Sequence, residues 1–175
     1  MASKPSAFAD VPSDPAQLRA AFAKVPQSVV AVCGLDSAGV PHGMAASSFT
    51  PLSLDPPLVS VAMARSSSTW PVLRGFSRLG ISLLNDTQGP SCRRLAAKNG
   101  DRFNDVSWTP HHSGAVFLDH AAAHLDCELF DELPGGDHTI ALFLIRTIHV
   151  DADHEPLVFQ GSDFRRMAAT IRGEL

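Results

Sequence analysis

Ala121, Ala123, Leu125, Cys127 and Leu129 alternate with His124, Asp126 and Glu128, and Pro134-Gly135-Gly136 then turns the chain into the β-rich run His138 to Val150. A period of two is the signature of a strand with one covered face. Two such runs around a turn predict a pair of long antiparallel strands.

The rest of the chain supports the same architecture. Asp14 or Ser13 is placed to cap a helix through Lys24, with Leu18, Phe22 and Val25 as an apolar stripe and Pro26 as the stop. Ser28 to Leu35 is β-branched, Asp36-Ser37-Ala38-Gly39 has turn chemistry, and Val40 to Phe49 resumes an extended segment, which together predict a hairpin. Leu58 to Met63 follows the Pro56-Pro57 break as a third strand. A short helix is expected from Ser68 or Thr69 to Gly75, a strand over Leu79 to Leu84, and a helix from Thr87 to Lys98 closed by Asn99-Gly100. Leu157 to Gln160 adds a last short strand before a polar C-terminal helix or tail. Six or seven strands with short helical interruptions favour a mainly β, antiparallel barrel. There is no alternating strand-helix pattern, no Gly-x-Gly and no Gly-Lys-Ser/Thr, so a nucleotide would have to bind without those loops.

At 175 residues, 45% of them apolar, the chain is long enough for one domain with a real core. Residues 15–175 are assigned to that domain and 1–14 to a disordered arm, which has neither the apolar run nor the basic lead of a signal peptide or membrane anchor. A formal charge of −4 argues against nucleic acid as a partner. Three widely spaced cysteines without a C-x-x-C argue against a disulfide framework or a structural zinc, and point to a cytoplasmic protein with Cys33 and Cys127 buried. His120 and His124 have helical metal-pair spacing, but four residues along a strand are separated by about 13 Å, too far to share an ion. His111 and His112 would face opposite ways if extended. No metal site is assigned.

Chemistry concentrates in Gly43 to Pro57 and in Ser66-Ser67-Ser68-Thr69. Alanines and serines leave main-chain groups uncovered for the edge of a flat heteroaromatic ring, and a serine run opening a helix can meet a phosphate with hydroxyls and amides. The plainer readings are a small-residue strand packed on a helix and an ordinary N-cap.

Gly43-Met44-Ala45-Ala46-Ser47-Ser48-Phe49 and Ser53-Leu54-Asp55-Pro56-Pro57-Leu58-Val59 resemble the signature region of the flavin reductase-like family. Ser66 to Thr69, Leu84-Asn85, Asp101-Arg102-Phe103, Leu125 to Glu128 and Gly136-Asp137-His138 match it in register, so the resemblance runs from Val25 to Gly161. It implies an antiparallel split β-barrel, a homodimer, and NADH- or NADPH-dependent reduction of FMN or FAD for a partner monooxygenase.

Carried over residue by residue, the resemblance implies that Ala45, Ala46, Ser47, Ser48 and Phe49 meet the isoalloxazine ring through the backbone. Ser66, Ser67, Ser68 and Thr69 would take the ribityl and phosphate, with Ser48 a further hydroxyl. Lys98, Arg102 and Phe103 would close over the flavin tail or nucleotide, Lys98 being equally well a solvated helix-end charge. His138 would lie where nicotinamide stacks and is the catalytic candidate, against the plainer histidine bonded to its own strand end. Phe159 stands where relatives carry an aromatic near the flavin, although a core phenylalanine is the stronger plain reading. Two rivals remain open: a flavin-binding carrier or sensor without turnover, and a split-barrel relative that binds another ligand such as haem.

Overall fold

The computed structural model describes residues 11–167. Residues 1–10 of the expected N-terminal arm, and the C-terminal residues 168–175, lie outside the described residues.

Helix α1 (Pro15–Phe22) starts where Asp14 accepts a hydrogen bond from the Ala16 N–H, with Pro15 in the first turn, where a missing N–H costs nothing. Strands β1 (Gln27–Ser28), β2 (Val30–Leu35) and β3 (Pro41–Ala46) follow, and β2 pairs antiparallel with β3 across the Asp36–Gly39 turn. The Asp36 carboxylate accepts from the N–H groups of Ala38 and Val40, and Gly39 takes a φ of +79°.

Next come β4 (Thr50–Leu54), β5 (Pro57–Ala64), α2 (Trp70–Leu73), β6 (Leu79–Leu83), α3 (Gly89–Leu95), β7 (Trp108–Pro110) and β8 (Val116–Leu118). The chain continues through β9 (Ala123–Gly135), β10 (His138–Val150), β11 (Val158–Gln160) and β12 (Asp163–Arg165). Seven strands form one antiparallel sheet in the order β3-β2-β6-β9-β10-β5-β4. The expected long pair is its centre, β9 against β10, turned at Gly136 with a φ of +73°. Strands β1, β11 and β12 form a small second sheet, and β7 pairs with β8.

Several expectations need correction. Strand β4 precedes the Pro56-Pro57 break and was missed because Pro51 and its polar neighbours weaken the β pattern. It is an edge strand, where proline is tolerated. The helix expected over Thr87 to Lys98 is only Gly89–Leu95. Its intended first turn is held instead by side chains, since Asn85 Oδ1 accepts from the Thr87 N–H and hydroxyl while Gln88 Oε1 accepts from the Asn85 N–H. After β11 the chain does not run straight into a helix or tail. Gly161 and Ser162 both take positive φ, 65° and 64°, which is the geometry of a tight hairpin, and β12 returns along β11.

Two apolar clusters fill the interior. One lies under β2, β5, β6, β9 and β10 around Val61, Met63, Leu73, Ile81 and Phe143. The other lies between β2, α3 and β8 around Ala31, Cys33, Leu95, Val116 and Leu118. Both faces of β2 are therefore covered, and Val30 to Cys33 are fully buried. Gly80 is required where β6 passes β8, because a Cβ there would stand 2.1 Å from the Val116 carbonyl oxygen. The alternation that put Asp126 on the open face of β9 fails at that position. Asp126 is 2% exposed, and Arg78 clasps it through Nε at 2.9 Å and Nη2 at 2.5 Å. A buried carboxylate persists only when so paired.

Candidate functional site

Strand β3 ends the sheet order, so one edge of its backbone faces no other strand of the seven-stranded sheet. At the end of this strand Ala45, Ala46 and Ser47 are half-buried and carry small side chains. Beside it opens a cavity of about 300 Å³, whose walls include all three residues together with Cys92, Phe159 and Phe164. The two phenylalanines meet edge to face at 5.6 Å, and the Arg93 guanidinium sits 4.8 Å over the Phe164 ring. A flat apolar body with polar edge atoms suits such a slot.

Ala45 and Ala96 also line a second cavity, of about 520 Å³, so the two cavities are neighbours that share a wall. Its walls carry Ser66, Ser67, Ser68, Thr69, Lys98 and Arg102. The tertiary fold thus brings three separated segments to one place. Ser67 Oγ accepts from the N–H groups of Thr69 and Trp70, which is the capping role, at 3.3 and 3.1 Å. Ser66 and Ser68 make no side-chain hydrogen bond among the described residues.

Arg102 donates through one nitrogen, Nη1, to Thr69 Oγ1 at 2.6 Å and to the Gly43 carbonyl at 3.2 Å. Phe103 packs beneath, edge to face with Trp108 at 6.0 Å. Together Arg102 and Phe103 also border a third cavity, of about 250 Å³, in which Thr69 again forms a wall.

Other candidates lie elsewhere. The Ser48 hydroxyl donates to the Ala62 carbonyl at 3.1 Å and accepts from the Ala62 N–H at 2.9 Å, so its one proton is engaged in joining the end of β3 to β5. Phe49 lies against the first core cluster and borders a separate apolar cavity with Pro51 and Leu83. His138 is half-buried at the start of β10, with Nδ1 2.7 Å from Asp137 Oδ1. Its register partner Ala64 lines the second cavity, but His138 is not itself on the walls of these cavities. The hydrogen bond from His138, aided by its charge, holds the Asp137 carboxyl below the usual carboxylate range.

Sequence reasoning missed Cys92, Arg93, Ala96, Ser162 and Phe164, which complete the ring-sized cavity. Their only signal is proximity in space. Burial pushes the Cys92 thiol up to about 11, so it serves the wall as a small neutral group. Among the described residues no cluster of three or more histidine, cysteine or acidic side chains could hold a metal, and no helix is long and apolar enough to cross a membrane.

Residues 22–168 match the model of the flavin reductase like domain. The chain belongs to the flavin reductase-like family. It is 36% identical to the actinorhodin polyketide dimerase of Streptomyces coelicolor, over 90% of this chain and 87% of that protein. It is 30% identical to the reductase subunit of a flavin-dependent monooxygenase from Rhodococcus jostii, over 83% of this chain and 74% of that one. Among solved structures of the family it is similar to the NADH:FAD oxidoreductase of Streptomyces globisporus in complex with NAD and FAD fragments, with a TM-score of 0.87 and 34% identity, covering 94% of this chain and 99% of that one.

Proposed function

We propose that the chain is a nicotinamide-dependent flavin reductase that passes reduced FMN or FAD to a partner oxygenase, with NADH or NADPH as the donor. The observation that carries this reading is a pair of adjacent cavities at the end of β3, one walled by Ala45, Ala46 and Ser47 and the other by a cluster of hydroxyls and cations. The chain fits a flavin on its own residues: Ala45, Ala46 and Ser47 leave room for a ring edge, while Ser66 to Thr69, Lys98 and Arg102 suit a phosphate. The flavin would supply the electron-accepting ring and the nicotinamide the hydride.

What the protein contributes is position. The walls fix one edge and the tail of the flavin and leave the groove open, so that a donor can stack at near-attack distance and the product can leave. His138 would orient the donor or the ring edge from the hairpin tip beside Ala64.

The same reading carries a quaternary and a topological proposal. The two bonds between Ser48 and Ala62 support a sheet curled so that β3 approaches β5, as in a split barrel. Leu54 at 96%, Val150 at 64% and Ile148 at 61% exposure support a homodimer that covers them. Three free, buried thiols fit a reducing cytoplasm.

The test is steady oxidation of NADH or NADPH by the purified chain with increasing free FMN or FAD. Turnover that rises with added flavin is expected. Tight flavin binding without turnover would make the protein a carrier or sensor instead, and a colourless protein that binds neither flavin would end the proposal.

A further inference from the structure

We propose that Glu132 is a positioning residue: its carboxylate fixes the Ser66 to Thr69 cluster against the hairpin that carries His138, and through that cluster sets the affinity for the flavin phosphate. The inference rests on the flavin reading above, which gives the cluster the phosphate, and adds a residue that stands on the walls of none of the three cavities. Glu132 lies on β9 in register with Ala141 of β10, and Ala141 in register with Val61 of β5, so its side chain shares the face of the first core cluster. A carboxylate at a core-facing position persists only when it is paired.

Both of its oxygens are committed to α2. Oε1 accepts from the indole Nε1 of Trp70, 62 positions away, at 2.9 Å, and Oε2 pairs with Arg74 Nη2 at 2.5 Å. Trp70 opens the four-residue helix and Arg74 caps its end, so one carboxylate, 17% exposed, clasps the helix at both ends. Trp70 is buried and meets Phe143 edge to face at 6.0 Å, so the indole is held by its ring as well as by its N–H.

The hydroxyl cluster hangs between two anchors. On its β5 side the Arg65 N–H donates to the Asp137 carbonyl at 3.0 Å, and on its α2 side Trp70 donates to Glu132. Both acceptors belong to the β9-β10 hairpin, which also carries His138. Ser67 Oγ ties the loop to Trp70 itself by accepting from the Trp70 N–H. Ser66 and Ser68, without side-chain bonds of their own among the described residues, take their direction from the backbone between those anchors. Releasing the indole would therefore let the cluster drift from the place where a phosphate must meet several hydroxyls at once, and the ring-sized cavity, whose walls include none of these residues, would keep its shape.

The test measures dissociation constants of the full chain for FMN and for riboflavin, which has the same ring and no phosphate. Wild type should bind FMN more tightly than riboflavin. Glu132→Ala should weaken FMN by about tenfold, the scale of one hydrogen bond to a charged group, and leave riboflavin unchanged. Glu132→Gln, which keeps an acceptor for the indole, should restore FMN affinity. Trp70→Phe, which removes the donor, should lose as much as Glu132→Ala, and the double variant should lose no more than either alone. FMN and riboflavin weakened equally would mark a merely structural role and overturn the proposal, as would FMN affinity unchanged in Glu132→Ala or equal affinities in wild type. Should Glu132→Ala fail to fold, Glu132→Gln and Trp70→Phe decide by the same ratio. A wild type that binds neither compound would instead sink the reductase reading itself.

Discussion

Arg102 and Thr69, 33 positions apart in the chain, meet at 2.6 Å and together form a wall shared by the second and third cavities. The hydroxyl accepts, so Thr69 fixes a guanidinium whose free side chain would otherwise sample many rotamers. Ordering the arginine before the ligand arrives lowers the cost of binding.

Thr69→Val keeps the shape of the residue and removes the acceptor. Flavin dissociation constants should rise by roughly tenfold, the worth of one hydrogen bond to a charged group, while the fold is kept. Flavin fluorescence titration with a melting curve as control would check this; unchanged affinity would mean that Gly43 alone suffices to hold the arginine.

His138→Ala should leave flavin affinity near the wild-type value and slow reduction by roughly tenfold, because a lost orienting group acts on the reactive geometry rather than on the tail. Single-turnover reduction by NADH separates the two effects. A normal rate would remove His138 from the site.

Asp126→Ala would strand the Arg78 guanidinium, which also reaches Glu128 Oε1 at 3.0 Å. Breaking one side of a buried pair should cost about 3 kcal/mol in urea unfolding. A loss below about 1 kcal/mol would show that Glu128 alone satisfies the arginine.

Burial pushes the thiols of Cys33 and Cys127 up to about 12 from the ordinary 9.0. The unfolded chain therefore releases protons above pH 9 that the folded chain retains, and stability should fall as pH rises from there, by about 1.4 kcal/mol per unit for each thiol. Below that range these groups contribute no pH dependence. Unfolding midpoints measured across alkaline pH, beside Cys33→Ser and Cys127→Ser variants with a flatter dependence, test the sign. Rapid labelling of the native thiols at neutral pH would contradict it.

The β2-β3 and β9-β10 hairpins were legible because a period of two and a local turn are both recorded in neighbouring residues. The family signature was legible too, since Gly43 to Phe49 and Ser66 to Thr69 are contiguous. Asp126 was misplaced for the opposite reason: its partner Arg78 stands 48 positions away, and alternation says nothing about what covers the second face. Strand β4 and the Gly161-Ser162 hairpin were missed because an edge strand with proline and a two-residue turn leave weak local patterns.

The order of residues was enough to determine an antiparallel, mainly β chain and the small and hydroxylic side chains from which a ligand groove is made, because propensity, alternation and turn chemistry act over a few positions. Only the tertiary structure decided that Cys92, Phe159 and Phe164 wall the ring-sized cavity, and that Arg102 stands on Thr69. Those relations join segments distant in the chain, and they arise from packing, which selects neighbours in space and leaves no periodic trace in the sequence.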